Sequence, residues 1–386
     1  MSARARLLVA LVSTGVVFYV ALGSVLGRVL GDTTYGQLAV FNEVIRMVMD
    51  SYVEPIDLDR TMSGAYRGLT DALDGDSAYL DAEQFKSYLA PVDDTAADVG
   101  AVLTRRFAFL MVVSARPGSP ADRAGLRTGD VIKTIDGKHT RPMGVPVGLS
   151  LLRGEPGSAV DLQILRSGGE PIDVPMVRER IKPATPKGSR LPGGQGLIRV
   201  GELSERTADE LQSEIEVLKQ QGVPSLVLDL RGNAFGPLEA GVDVANLFMK
   251  EGVITKLTGR QVPERVFSAD GTSVWDGPLA VLIARGTAGG AEIAAAALQD
   301  SGRAQVVGEQ SFGIAPVQKA FPMPTGGLVL SVAKYVSPAG EPIHGQGVTP
   351  AVQVTLPAEP VEGGEDLILD RALSELQSPA PSKKAA

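Results

Sequence analysis

The stretch from Leu279 to Gln318 constrains the fold of this chain more than any other. It opens with five consecutive apolar residues, LAVLI at 279–283, which is the pattern of a strand buried on both faces of a sheet. Gly289 and Gly290 follow, and then a run of good helix formers at 291–300. The pattern predicts a strand, a tight glycine turn and a helix N-terminus, where backbone N–H groups converge and favour negative charge.

Two segments of this stretch resemble those of a known family. GTAGGAEI at 286–293 and SFGIAPVQ at 311–318 are similar to GSASASEI and TFGKGxVQ of the carboxyl-terminal processing peptidases, also called tail-specific proteases. In this register the serine nucleophile of the family falls on Gly289 and its general-base lysine on Ile314, while Gln318 matches the glutamine that orients the lysine. The resemblance implies an α/β fold, with a crotonase-like (ClpP/crotonase-type) peptidase core, an inserted PDZ domain and an N-terminal helical segment.

The replacement of both dyad residues bears directly on activity. A serine–lysine dyad works because a hydroxyl attacks the peptide carbonyl while a desolvated, neutral lysine amine accepts its proton. Glycine has no side chain and isoleucine has no lone pair. Removing one member of a nucleophile–base unit costs about as much as removing all of it, roughly 10⁶ in turnover. We therefore expect no catalytic residue at Gly289 or Ile314, and Gln318 is retained as an accessory residue only.

Three hypotheses about function follow. The first is a pseudoprotease that binds polypeptides, in particular their C-termini, or partner proteins. The second is an active serine-type peptidase with a displaced nucleophile, for which the neighbouring hydroxyls and amine are those of Thr287, Ser301, Ser311 and Lys319. The third is a regulatory pseudo-subunit of an active paralogue.

A further segment, DLRGNAFGP at 229–237, resembles DLRxNPGG of the same family. In the family the glycine amides of this segment form part of the oxyanion hole. The resemblance therefore assigns the oxyanion-hole region to Gly236 and Gly290. Phe235 stands where the family has a small residue. We interpret this as a second difference from the family pattern at the active-site region, after the loss of the dyad residues.

Residues 97–182 resemble a PDZ domain, chiefly through GSPADRAGLRTGDVI at 118–132 and the hairpin turn Asp136-Gly137. A PDZ domain binds an extended chain end by adding it to an open sheet edge, while a loop of backbone amides holds the carboxylate. The resemblance places this loop at Val99, Gly100, Ala101 and Val102. Arg105 and Arg106 follow, either as additional carboxylate-binding groups or as solvated strand residues.

The N-terminal segment predicts a membrane anchor or a signal sequence. Leu7 to Gly27 contain no charged residue, and about 20 helical residues suffice to span ~30 Å of hydrocarbon. Arg4 and Arg6 precede this segment, so the positive-inside rule keeps the short N-terminus in the cytoplasm. The expected location is the bacterial inner membrane with the bulk of the chain in the periplasm, or export.

Periodicity predicts the remaining elements. Apolar residues at helical spacing indicate helices at 35–52 and 62–73, with the segment 77–85 as the start of a third. Thr207 and Glu210 suggest a capping box for a helix with a buried stripe of Leu211, Ile215 and Leu218.

The predicted organisation is an anchor or signal at 1–31, a helical segment at 32–96, the PDZ domain at 97–182, the peptidase-like core at 183–356, and a helix with a flexible tail at 357–386. In the family the N-terminal helices are packing and dimer-forming elements, so a homo-oligomer is a possibility.

Composition excludes several classes of function. The net charge is −8 and there is no block of basic residues, so nucleic-acid binding is disfavoured. The chain has no cysteine, which removes thiolate catalysis and cysteine metal sites. Its two histidines, His139 and His344, are isolated in sequence. We therefore expect neither a metal nor a cofactor.

Overall fold

The computed structural model describes residues 34–91, 96–357 and 364–377. The predicted membrane segment at 7–27 and the predicted flexible tail after residue 377 lie outside these residues. None of the helices in the described ranges is both long enough and apolar enough to span a bilayer. The chain divides into two compact units, with the boundary between Ala65 and Tyr66.

The first unit contains helix α1 (Thr34–Ser51) and the beginning of helix α2 (Leu58–Asp71). Both helices agree with the predicted segments, although α2 begins four residues earlier than its apolar pattern suggested. The cause is Asp57, whose Oδ1 accepts the N–H of Arg60 at 3.0 Å and so starts the helix. Helix α1 exposes much apolar surface, including Leu38, Val44 and Met47.

The prediction of a helix beginning near Ser77 was wrong. Residues Ala78–Asp81 form strand β1, and helix α3 (Ala82–Leu89) follows it. Strand β1 pairs with a strand at 326–336, Ala78 lying opposite Val329, and this distant pairing overrides the local helical pattern. Asp81 then caps α3, because it accepts the N–H of Gln84 at 2.9 Å while the Gln84 side chain accepts the N–H of Asp81.

The segment predicted to be a PDZ domain forms one antiparallel sheet in the order β2-β3-β4-β6-β7, with β5 paired to β4. Its elements are β2 (Ala101–Arg106), β3 (Phe109–Ala115), α4 (Pro120–Arg123), β4 (Val131–Ile135), β5 (Lys138–His139), α5 (Val145–Leu152), β6 (Ala159–Leu165) and β7 (Ile172–Val177). Asp136 and Gly137 make the expected tight turn, both with positive φ. Strand β2 is an edge strand of this sheet, and it lies beside α5.

The core contains a second sheet, in the order β17-β14-β13-β10-β9-β8, in which only β8 is antiparallel to its neighbour. Its strands are β8 (Lys187–Arg190), β9 (Gly196–Arg199), β10 (Leu226–Asp229), β13 (Leu279–Ile283), β14 (Gln305–Gly308) and β17 (Val352–Gln353). The helices of the core are α6 (Thr207–Gln220), α7 (Glu239–Asn246), α8 (Gly290–Asp300) and α9 (Leu367–Gln377). Every residue of β13 is buried, as its continuous apolar run predicts.

A third sheet combines β1 with β11 (Val253–Thr258), β12 (Arg265–Ser268), β15 (Pro316–Met323) and β16 (Gly326–Val336). Helix α8 follows the central strand β13 in sequence and packs between the two core sheets. Its residues from Gly290 to Leu298 are buried. This placement fixes the glycine turn at the centre of the core.

The interpretation of α6 was partly wrong. Its stripe of Leu211, Ile215 and Leu218 is buried, as predicted. The proposed capping box is absent, because Arg206 occupies the N-cap position without a side-chain hydrogen bond. Thr207 instead accepts the N–H of Ser204 at 2.8 Å, which closes a turn before the helix begins.

Candidate functional site

The glycine turn between β13 and α8 has an unusual backbone. Gly289 has φ 68° and ψ −130°, a conformation that glycine adopts freely and other residues adopt only under strain. Hydrolases present a nucleophile on a sharp, strained strand-to-helix turn of this kind. A Cβ atom added at Gly289 would meet the Leu238 side chain at 3.6 Å and the Ile314 carbonyl oxygen at 3.9 Å, which are ordinary contacts. The turn therefore has the backbone and the room for a side chain that this chain lacks.

The second predicted dyad position lies beside the first. Ile314 is 25 residues after Gly289 in sequence, yet its carbonyl oxygen is 3.9 Å from the Cβ position of Gly289. Ile314 is half-buried and supplies only a branched alkyl group. Gln318 is exposed, and its Nε2 donates to the Asp76 carbonyl at 2.6 Å. The retained glutamine thus binds the turn at Asp76, before strand β1.

Glu292 is the residue that the sequence analysis missed. It is fully buried at the third position of α8, and each of its carboxylate oxygens accepts two hydrogen bonds. One oxygen accepts the N–H groups of Gly289 (3.0 Å) and Ile314 (2.9 Å). The other accepts the N–H of Gly313 (2.6 Å) and the hydroxyl of Ser311. Glu292 therefore binds the backbones of both predicted dyad positions, and a glutamate three residues after a glycine turn was the available signal.

Burial without a cationic partner raises the pKa of Glu292 to about 7. The hydrogen bonds from Ser311 and from the amides of Ile314, Gly313 and Gly289 act in the opposite direction, since they favour the ionised form. The cost of desolvating the charge outweighs them. The carboxyl group consequently gains its charge near neutral pH.

The two oxyanion-hole positions also lie together. A Cβ atom on Gly290 would be 2.9 Å from the Pro237 oxygen, so the segment that carries Gly236 packs against the N-terminus of α8. Within 34–91, 96–357 and 364–377, the amides of Gly236 and Gly290 donate to no acceptor. Gly236 is exposed, whereas Gly290 is buried.

Phe235 links this segment to the PDZ-like sheet. Its ring lies under the guanidinium of Arg116 at 4.6 Å, and Arg116 pairs with Glu202 at 2.8 Å. Cation–π contacts of this kind stabilise by about 0.5–2 kcal/mol. Phe235 therefore contributes to the position of the loop that carries Gly236.

The hydroxyls that could serve as a displaced nucleophile are engaged elsewhere. Thr287 is buried, and its hydroxyl donates to the Leu230 carbonyl at 2.9 Å. Ser301 donates to the Ala297 carbonyl at the far end of α8. Ser311 is buried against Glu292 and accepts the N–H of Val348 at 2.7 Å. Lys319 lies over the Phe321 ring. No serine or threonine hydroxyl bonds to a lysine amine in the part of the chain that the structure describes.

The predicted carboxylate loop of the PDZ-like sheet is closed. Val99, Gly100 and Ala101 are buried, and Val102 is half-buried. The Gly100 N–H donates to Oδ1 of Asp98 at 2.8 Å. This loop therefore binds a carboxylate that belongs to its own chain.

Arg106 is an exposed residue at the end of strand β2, as in the second predicted alternative, whereas Arg105 is half-buried. Arg105 pairs with Asp71 and donates to the Arg141 carbonyl at 3.1 Å. Arg106 donates to the Phe312 carbonyl at 3.2 Å, and its guanidinium lies 4.7 Å from the centre of the Phe312 ring. Both arginines bind protein groups between the PDZ-like sheet and its neighbours.

The histidines were expected to be isolated residues. His139 is exposed, whereas Nε2 of His344 is 3.9 Å from a carboxylate oxygen of Asp76. Burial raises the pKa of Asp76, and the neighbouring His344 partly offsets this effect. The described ranges contain no group of three potential metal ligands.

Comparisons with known proteins match this organisation. The family model of Peptidase family S41 matches residues 194–354, and that of the PDZ domain matches residues 111–166. The chain is 33% identical over 343 residues to the carboxy-terminal processing protease CtpA of Bacillus subtilis, covering 88% of this chain and 74% of that protein. It is 34% identical over 362 residues to the carboxy-terminal-processing protease of Bartonella bacilliformis, covering 92% of this chain and 82% of that protein.

A solved structure gives the same result in three dimensions. The photosystem II D1 C-terminal processing protease matches with a TM-score of 0.70 and 30% sequence identity. The match covers 82% of this chain and 88% of that chain.

Proposed function

This chain belongs to Peptidase family S41, among the carboxy-terminal processing proteases, and on that basis we propose that it is a member that binds polypeptides without cleaving them. Its α/β peptidase fold with a PDZ domain and an N-terminal helical segment is the predicted one, and the comparisons confirm it. The relatives of this chain in the family are named proteases. The proposal concerns the residues in which this chain differs from them.

The observation that carries the proposal is the glycine turn. Gly289 has the strained backbone and the open Cβ position of a nucleophile site, yet it offers no hydroxyl. Ile314, beside it, offers no amine. Attack on a carbonyl needs the first group and proton transfer needs the second, so neither step has a residue to perform it.

The groups that bind a peptide, by contrast, are retained. Among the described residues the amides of Gly236 and Gly290 donate to no acceptor, and Gly290 is the first residue of an 11-residue helix, whose N-terminus favours a carbonyl oxygen. These amides need no side chain to act. We infer that the site holds a polypeptide backbone and leaves it intact.

A displaced nucleophile has less support. The neighbouring hydroxyls are buried or bonded to backbone carbonyls, and Lys319 lies over an aromatic ring. A relocated dyad needs a hydroxyl within about 3 Å of a neutral amine. The contacts of these residues favour a structural role for each of them.

The proposal predicts that binding depends on Gly236. A Cβ atom there would lie 1.8 Å from the Leu203 oxygen, so Gly236→Ala must displace the loop and its amide. We expect the affinity for an unfolded polypeptide with an apolar C-terminus to fall by up to about tenfold, since one lost hydrogen bond costs about 0.5–1.5 kcal/mol. Fluorescence anisotropy with the labelled polypeptide measures the change.

Gly271→Ala is the matched control. Gly271 also has a positive φ, but its nearest atom is the Lys250 oxygen at 3.7 Å, in a turn of the core away from the site. The Gly271→Ala variant should bind the labelled polypeptide with the same affinity as the wild type. Equal binding by both variants and the wild type would reject the assignment of Gly236, and absence of binding by the wild type would reject the proposed function.

We also propose that a second copy of the chain covers helix α1. Leu38, Phe41, Ile45 and Val48 recur at spacings of three and four residues, which is the seam pattern of a coiled coil. Leu38, Phe41 and Val48 are exposed in the single chain. Phe41→Glu combined with Val48→Glu is expected to convert a dimer to a monomer in analytical ultracentrifugation.

Leu69→Glu, at an apolar position on α2 that is more exposed than Phe41 and Val48, is the control and should leave the dimer intact. A wild-type chain that sediments as a monomer would contradict self-association. Co-purification of the monomer with an active paralogue would support the alternative of a regulatory pseudo-subunit instead. The membrane anchor and the periplasmic location stay predictions from residues 7–27.

A further inference from the structure

Strand β2 and the loop before it are the remaining candidate contact for a polypeptide. A PDZ domain holds a chain end through the backbone amides of this loop, because the amides satisfy the terminal carboxylate. In this chain the Gly100 amide is already satisfied by Oδ1 of Asp98, at 2.8 Å. The other carboxylate oxygen of Asp98 accepts from Nε of Arg153 at 3.4 Å.

Asp98 is held in this position by its backbone. Its N–H donates to the Glu179 carbonyl at 2.9 Å, and its carbonyl accepts the Glu179 N–H at 3.0 Å. The loop is also covered, because a Cβ atom on Gly100 would lie within 2.8 Å of both Ser119 and Ile181. The carboxylate therefore stays at the amide when no peptide is present.

The other cations near β2 are engaged as well. Arg153 pairs with Asp98, and Arg105 pairs with Asp71. Arg106 donates to the Phe312 carbonyl and lies over its ring. The Gly100 amide and Arg153 are thus satisfied by Asp98, and Arg105 is satisfied by Asp71.

The edge of β2 is nevertheless unpaired, because β2 bonds only to β3 among the described strands. The backbone at Gly75 lies against the Arg105 carbonyl, because a Cβ atom on Gly75 would be 2.1 Å from that oxygen. An extended segment can therefore add through its main chain to the part of this edge before Arg105.

We propose that Asp98 is a built-in carboxylate ligand of this loop, and that the PDZ domain consequently takes internal, extended segments of a polypeptide instead of free chain ends. The inference rests on the proposed function, since it specifies which polypeptides are bound. It makes Asp98 the residue that determines specificity.

The test compares two peptide pools with the same apolar sequences, one ending in a free carboxylate and one in an amide. The full wild-type chain is expected to bind both pools with affinities within about threefold of each other. Asp98→Ala frees the Gly100 amide and Arg153, so the free-acid pool should bind at least tenfold more tightly, as for other charge-assisted hydrogen bonds. Asp122→Ala is the matched control, because Oδ2 of Asp122 also accepts a glycine N–H, that of Gly118, at 2.8 Å. It should bind both pools equally.

A second measurement needs no peptide. In amide NMR spectra of the folded chain, added sodium acetate should shift the Gly100 signal of Asp98→Ala saturably and leave that of the wild type unchanged. A wild type that favours the free-acid pool tenfold, or whose Gly100 signal responds to acetate, overturns the inference while leaving polypeptide binding intact. If acetate acts on Asp98→Ala as expected but neither chain binds either pool, Asp98 keeps its role and the proposed function fails.

Discussion

A chain carrying Gly289→Ser together with Ile314→Lys is expected to hydrolyse polypeptides, at least about 10³-fold above the wild-type background. The expectation follows from the backbone, since Gly289 already has the strained turn and the space for a Cβ atom, with residue 314 beside it. The amides of Gly236 and Gly290, which donate to no acceptor among the described residues, would stabilise the oxyanion. Complete dyads supply roughly 10⁶ in turnover, so a partial recovery is measurable with a quenched fluorescent peptide.

The single variants are the controls for this gain. Gly289→Ser alone lacks a base and Ile314→Lys alone lacks a nucleophile, so each should stay within about tenfold of the background. Serine at a φ of 68° costs about 1–3 kcal/mol of strain, which thermal unfolding will show. Activity of either single variant equal to that of the double variant would indicate a second catalytic group, against our account.

Glu292→Gln is expected to produce the largest change in stability. At pH 4 the neutral carboxyl can donate its one proton to the Ser311 hydroxyl and still accept the backbone N–H groups of Gly289, Gly313 and Ile314, whereas a glutamine amide would point an N–H donor at one or two of these N–H groups. Leaving such buried donors unsatisfied costs about 1–3 kcal/mol each. Unfolding in urea at pH 4 should show a loss of about 2 kcal/mol or more.

The same variant should remove a pH dependence. Because the folded-state pKa of Glu292, about 7, lies above its ordinary value of 4.5, its contribution to stability is fully present below pH 4.5 and is lost as the pH rises to 7. The difference in unfolding free energy between wild type and Glu292→Gln should therefore decrease by roughly 3 kcal/mol from pH 4 to pH 8. A constant difference for Glu292→Gln would mean that its carboxyl titrates normally.

Local pattern was sufficient for the centre of the fold. The continuous apolar run at 279–283 predicted β13, and the glycines after it predicted the start of α8. The register of two flanking motifs predicted that Gly289 and Ile314 belong to one site, and the structure brings them together.

Contacts between distant segments explain what the sequence could not predict. Strand β1 forms because it pairs with β16, almost 250 residues later. Phe235 packs under Arg116 of the PDZ domain, and the hydrogen bonds of Glu292 come from a loop about 20 residues away. A carboxylate two residues before a glycine is common in turns, so the sequence does not single out Asp98; its hydrogen bond to the Gly100 amide and its pairing with Arg153 are seen only in the structure.

The central claim is that this chain binds polypeptides and leaves their peptide bonds intact. The direct test is mass spectrometry of an unfolded polypeptide after prolonged incubation with the purified wild-type chain, with CtpA of Bacillus subtilis as the positive control. Our account predicts that the polypeptide stays intact, at a concentration of chain where anisotropy shows it to be bound. Fragments that increase with the amount of chain and disappear after treatment with a serine-directed reagent would contradict it.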